Sequence, residues 1–218
     1  SGVTVRKING WTFSNIESIS PNNGQRGTVV AITGVALLAG GSSIATVHLA
    51  GLEVADVIDF NSTVITVAAN FETVRDKKLG DVRITMNNDQ VVVLTNGWTT
   101  AVHGVVETVT PNSGTFGTNV IIKGTRLLGY GETLVSVLLA GEAVEEVISS
   151  NDTEIQVVAA LSAEAKNGAV YITSDTGAIV ELVEAWTYRA PAEIESNLSP
   201  PSACPMPCAA RRWLGCLA

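Results

Sequence analysis

One stretch of this chain is written twice. Residues Ile16 to Asn70 align with Val106 to Ala160 at a constant offset of 90, without a gap, and 24 of the 55 aligned pairs are identical. Pro21-Asn22-Asn23-Gly24 answers Pro111-Asn112-Ser113-Gly114, Leu49-Ala50-Gly51 answers Leu139-Ala140-Gly141, and Asn61-Ser62-Thr63 answers Asn151-Asp152-Thr153. Beyond a loop around residues 72–78 the offset falls to 88, so that Gly80, Val82, Ile84 and Trp98 meet Gly168, Val170, Ile172 and Trp186. A period of this kind marks a repeated structural unit. The 218 residues hold two complete copies, each of ordinary small-domain size.

Partial copies flank the complete ones. The run from Gly2 to Phe13, with Trp11-Thr12-Phe13 at its end, matches Gly177 to Tyr188, with Trp186-Thr187-Tyr188 at its end. Ile194 to Pro200 matches Ile16 to Pro21. The expected organisation is the last strand of a preceding unit over 1–13, complete units over 14–100 and 101–190, and the start of a further unit followed by a Pro/Cys-rich tail over 191–218.

Inside a unit the hydrophobic period is two. Val82, Ile84 and Met86 alternate with Arg83, Thr85 and Asn87, which is the pattern of a strand with one face buried. Val30 and Ile32, repeated as Val120 and Ile122, give a second strand of the same type. Pro-Asn-x-Gly and Asn87-Asn88-Asp89 supply turns between such runs. The one helix-like stretch, Leu161–Lys166, reads as a single turn within a loop. About seven short strands per unit predict an all-β chain of tandem immunoglobulin-like antiparallel β-sandwiches. With 46% hydrophobic residues, each unit can bury its own core.

These motifs resemble the IPT/TIG domain, an immunoglobulin-like fold of plexins, transcription factors and many surface proteins. The resemblance is carried by the opening Ile16-x-x-Ile19-x-Pro21-x-x-Gly24, by Gly27-Thr28, and by Val30-x-Ile32-x-Gly34. It continues through the Ala50-Gly51 turn and Thr63-x-Ile65-x-Val67, and all but small substitutions recur in the second copy. It implies fold more than function, because modules of this family serve as scaffold, receptor segment and dimerisation unit alike. Receptor members often carry disulfides, whereas the two complete units here contain no Cys.

Charge narrows the functional classes. A formal net charge of −8 opposes nucleic-acid binding, which draws its affinity from Lys and Arg displacing counterions. No apolar run approaches the roughly 18–20 residues that span a bilayer, and the first residues lack the charged and apolar regions of a signal peptide. The two histidines, His48 and His103, have no companion motif for metal binding or acid–base work. Glu145-Glu146 and Asp56-x-x-Asp59 read as solvated acidic faces rather than a calcium loop. The sequence therefore predicts no enzyme, no cofactor and no metal.

Three groups of residues remain as candidates. Asn61, Asn151 and Asn197 head N-glycosylation sequons, the first two at the same turn of each unit. Trp11, Trp98 and Trp186 close the last strand of each copy and are expected to pack at the joint between units. Cys204, Cys208 and Cys216 all lie in the tail; an odd number fits an intermolecular bridge or a free thiol. The abrupt change of composition there fits a reading-frame error equally well. The functional expectation is a non-catalytic structural module of an extracellular or cell-surface array, building a fibre, filament or appendage through contacts with further copies. The alternative is an adhesive or receptor ectodomain that binds a protein or glycan through loops at the end of a sandwich.

Overall fold

A computed structural model describes residues 13–70 and 77–190. Among these residues there is no helix. The first unit comprises β1 (Asn15–Ser20), β2 (Asn23–Gly24), β3 (Val29–Val35), β4 (Ile44–Leu49), β5 (Leu52–Glu53), β6 (Asp56–Phe60), β7 (Val64–Ala68), β8 (Lys78–Met86) and β9 (Val91–Thr100). The second repeats them as β10 (Val105–Thr110), β11 (Ser113–Gly114), β12 (Asn119–Thr125), β13 (Leu134–Leu139), β14 (Glu142–Ala143), β15 (Glu146–Ser150), β16 (Glu154–Val158), β17 (Lys166–Ser174) and β18 (Ile179–Tyr188). Each unit is a sandwich of two sheets, ordered β1-β3-β7-β6 and β2-β9-β8-β4-β5 in the first and identically in the second. Seven strands per unit are longer than two residues, as the sequence predicts.

Two local features depart from that expectation. β2 lies parallel to the end of β9, pairing Asn23 with Thr99 and Gly24 with Thr100, in an otherwise antiparallel sandwich. The chain passes from one sheet to the other between β1 and β2 and runs beside the end of β9 in the same direction. Leu161–Lys166 forms no helical turn; it is irregular up to the start of β17, and the Ser162 hydroxyl donates to the Glu164 carbonyl.

The period-two pattern decides which side chains are inside. Val82, Ile84 and Met86 are fully buried with Val30, Ile32, Ile65, Val67 and Trp98 in the first core. Val170, Ile172, Val120, Ile122, Ile155, Val157 and Trp186 do the same in the second. The two cores are separate clusters. The glycine that follows the Val-x-Ile run has a steric reason in both copies. A Cβ on Gly34 would lie 2.1 Å from the Asn15 carbonyl oxygen, and one on Gly124 2.0 Å from that of Val105, so only glycine lets β1 and β10 pair there.

Candidate functional site: the joint between the units

Between β9 and β10 the connector is four residues, 101–104. Ala101 is buried, and its N–H donates to the Gly24 carbonyl at 2.7 Å, which holds the start of the connector against the first sandwich. The Gly104 N–H donates to Gln25 Oε1 at 2.7 Å, and Arg126 Nε donates to the His103 carbonyl, so both ends are tied.

The loop between β2 and β3 then meets the β17–β18 hairpin of the other unit. Val29 N–H donates to the Thr176 carbonyl, and Ile179 N–H donates to that of Arg26, both at 2.9 Å. This is a short antiparallel pairing between two sandwiches. Gly27 and Gly177, with φ of 81° and 78°, sit at its centre. A Cβ on Gly177 would come 2.8 Å from Val29 Cγ2 and 2.9 Å from the Gly27 carbonyl oxygen, so side chains there would force the units apart. Gln25, buried, spans the joint: its amide nitrogen donates to the Ile179 carbonyl at 3.2 Å while its oxygen takes the Gly104 N–H. Gly129 completes the fit, because a Cβ there would fall 2.5 Å from the Gln25 amide nitrogen.

An ion pair closes the outer side. Arg26 donates to Glu181 at 2.5 Å, with both side chains partly shielded. The Tyr171 phenol, hydrogen-bonded to Glu181 from the neighbouring strand, is held above its ordinary pKa by that bond and by the carboxylate charge.

Two clefts flank the joint. One, of about 350 Å³, is lined by Arg26, His103, Gly104 and the start of β18 from Ile179 to Val183. The other, of about 230 Å³, is lined by Asn22, Asn23, Lys77 and Thr99 of the first unit, Ala101 of the connector and Tyr130 of the second unit. Tyr130 is held at φ 71° with its side chain exposed. A larger open cleft of about 620 Å³ lies on the first unit around His48, Lys78, Asp81, Arg83 and Asn96. His48 Nδ1 is buried there without a hydrogen-bond partner. Among the described residues no three His, Cys, Asp or Glu side chains group closely enough to hold a metal ion.

The sequence candidates fall as follows. Trp98 and Trp186 are buried inside their own cores, Trp186 edge-on to Tyr188 at 5.6 Å. Trp98 also lines a small pocket with Gln25, one layer behind the joint. The polar links across the joint come from Gln25, Arg26, Val29, Gly104, Thr176, Ile179 and Glu181, which sequence reasoning did not single out. Asn61 and Asn151 occupy exposed turns before β7 and β16. In each, Oδ1 accepts from the N–H groups two and three residues on and from the Thr63 or Thr153 hydroxyl, all within 2.8–2.9 Å. Trp11, Asn197, Cys204, Cys208 and Cys216 lie outside the described residues. No helix among the described residues is long and apolar enough to cross a membrane.

Residues 104–183 match the family model of the IPT/TIG domain. The second unit is an IPT/TIG domain. The first unit has the same strand order and registers as this IPT/TIG domain, strand for strand. No curated protein matches the chain. Among solved structures, the chain is similar to a surface glycan-binding protein of Prevotella bryantii at 12% identity and a TM-score of 0.34, covering 82% of this chain and 42% of that one. It is similar to a protein of a xyloglucan utilization locus in Bacteroides uniformis at 17% identity and TM-score 0.32, covering 80% and 49%. Fibronectin(III)-like modules of Clostridium thermocellum match at 11% identity and TM-score 0.30, covering 82% and 94%. The chain spans 40–49% of the length of the first four structures it matches.

Proposed function

We propose that this chain is a non-catalytic segment of an extracellular or cell-surface array, in which successive IPT/TIG-type units are locked end to end so that the array keeps a fixed course and builds a fibre or appendage. The observation that carries this reading is the Gly27–Gly177 crossing with its two backbone hydrogen bonds. Domains in one chain move relative to each other unless something fixes them. Here reorientation breaks both of those bonds, both Gln25 bonds and the Arg26–Glu181 pair. A flexible tether needs none of these groups, whereas a spacer that transmits direction or load needs them. Small-angle scattering of the chain tests the reading: one fixed two-unit arrangement is expected, and a broad distribution of inter-unit angles overturns it.

A second reading rests on Tyr130. Its exposed side chain lines one cleft of about 230 Å³ with Asn22, Asn23, Lys77 and Thr99, and so shares it with amide, ammonium and hydroxyl groups. An aromatic face takes the apolar face of a sugar while neighbouring amides bond its hydroxyls. A glycan held there would touch both units and read their relative orientation. Titration of a panel of neutral oligosaccharides checks it, with binding expected to vanish in Tyr130→Ala; equal binding by that variant rejects the cleft as the site.

A further inference from the structure

The joint has two halves, and each unit carries both. Because β2 pairs with the end of β9, the β2–β3 loop lies at the opposite end of a unit from the β8–β9 hairpin. The first unit's loop and the second unit's hairpin are used in the internal joint. The second unit's loop, 115–119, and the first unit's hairpin, 87–91, carry the same elements at the two outer ends.

Both are already in the joining conformation. Gly117 keeps φ 78° where Gly27 has 81°, and its N–H donates to the Ala159 carbonyl as that of Gly27 does to Ala69, each at 2.9 Å. A Cβ on Gly117, however, would meet nothing within 4 Å. In the hairpin, Asp89 at φ 61° stands where Gly177 stands, and Met86 and Gln90 close the turn as Ser174 and Ala178 do. Thr115, Phe116 and Gly117 are exposed where their counterparts are buried or half-buried, and the same holds for Asn88 to Val91.

The side chains that meet across the internal joint have changed in matched pairs. Arg26 and Glu181 form an ion pair; at the outer ends the same two positions hold Phe116 and Val93, apolar and 57% and 41% exposed. Gln25 needs the empty space at Gly129; at the outer ends those positions hold the shorter Thr115 and the larger Ala39. Change on one surface alone would leave a lone charge against an apolar group or a void. Here both surfaces changed together, from polar to apolar and from long-with-small to short-with-larger.

We propose that the 115–119 loop of one copy of this chain receives the 87–93 hairpin of a second copy, repeating the internal joint between molecules with Phe116 on Val93 in place of Arg26 on Glu181. The contact is head to tail, so a pair of copies leaves one half of the joint unused at each end, and further copies add there until the rotation between copies closes a ring or, where it does not, an open filament grows. It is weaker than the internal joint, since Thr115 is too short to make both Gln25 bonds and the Asp89 Cβ has to be accommodated where Gly177 has none. The inference rests on the end-to-end array reading and names the surface and partner that extend it.

Sedimentation velocity of the full chain over a range of concentrations tests the contact. Wild type is expected to show a concentration-dependent ladder of species rather than a closed dimer. Phe116→Arg and Val93→Glu, each alone, leave a charge facing an apolar partner and are expected to weaken association about tenfold or more. An equimolar mixture of the two variants sets the introduced guanidinium against the introduced carboxylate at one contact and the native Phe116 against the native Val93 at the next, and is expected to recover the ladder of species with the two variants alternating. Unchanged circular dichroism confirms that both variants fold, as expected for exposed positions. A wild type that stays monomeric throughout, association indifferent to both variants, or a mixture that fails to pair each overturns the contact. Scattering that still reports one fixed inter-unit arrangement in those same samples leaves the array reading standing, so the two failures are distinguishable.

Discussion

Gly27 and Gly177, 150 residues apart in sequence and in different sandwiches, approach until a Cβ on Gly27 would stand 2.6 Å from the Gly177 carbonyl oxygen. Both have positive φ, so a side chain is disfavoured by the backbone as well as by the neighbour. Gly177→Val is therefore expected to open the joint while leaving both cores intact. Scattering should show a broadened shape, and Gly104 and Val29 amides should lose protection from hydrogen exchange. The strain of a β-branched residue in this region is on the order of 1–3 kcal/mol, and it should fall on the hairpin rather than on either core.

Trp98 and Trp186 answer for the cores. Each is at most 2% exposed and packs within its own sandwich. Truncating such a side chain removes its burial and leaves a cavity, at a cost of about 3–5 kcal/mol. Because the two cores are separate clusters, Trp98→Ala is expected to lower the denaturation midpoint of the first unit and Trp186→Ala that of the second. Chemical denaturation of each variant, followed by hydrogen exchange of core amides in each unit, reads this directly; equal loss in both units from one substitution would contradict the division.

At the sequon turns a single oxygen does the holding. Asn61 Oδ1 and Asn151 Oδ1 each accept three hydrogen bonds, which fixes the turn without using the amide nitrogen that a glycan would modify. Asn151→Asp keeps the acceptor and is expected to be near neutral in stability. Asn151→Ala loses all three bonds and is expected to cost about 1–3 kcal/mol, since each nets roughly 0.5–1.5 kcal/mol and water replaces part of them at an exposed turn. In a secreting eukaryotic host, mass spectrometry is expected to find sugar at both positions and none in the Asp variants.

Much of the fold was legible because burial is written in the strands themselves. Val82, Ile84 and Met86 face inward because alternate residues do, and the copy at Val170 and Ile172 repeats the instruction. The joint was not legible in the same way. Gly27 and Gly177 are single glycines among 20, and their meaning lies in a contact between the two copies that no periodicity describes. One signal was available: within an otherwise matching hairpin, Gly177 replaces Asp89 and Glu181 replaces Val93, while Arg26 differs from Phe116. Differences between copies of a repeat mark what the copies do not share, and here the differing positions lie in the internal joint in one copy and outside it in the other. Trp98 and Trp186, expected at the joint from their place at the end of the last strand, lie in the cores of their own units, with Trp98 one layer behind Gln25.

On the alkaline side, Tyr171 and Tyr188 are the phenols held above their ordinary pKa, and both belong to the second unit. Burial, with the Glu142 carboxylate nearby, pushes the Tyr188 phenol above its ordinary 10.0. The hydrogen bond to Glu181 and its charge do the same for Tyr171. A phenol whose folded pKa is raised favours folding fully below the unfolded value, and that contribution is lost as pH climbs through the folded value. The first unit has Arg83 and Thr100 at these positions and no phenol to lose. Raising the pH past about 10 is therefore expected to destabilise the second unit relative to the first. Denaturation followed separately for the two units between neutral and alkaline pH should show that divergence. Tyr171→Phe should remove part of it. Parallel loss in both units, unaffected by that substitution, would assign the alkaline transition to charge spread over the whole acidic surface instead.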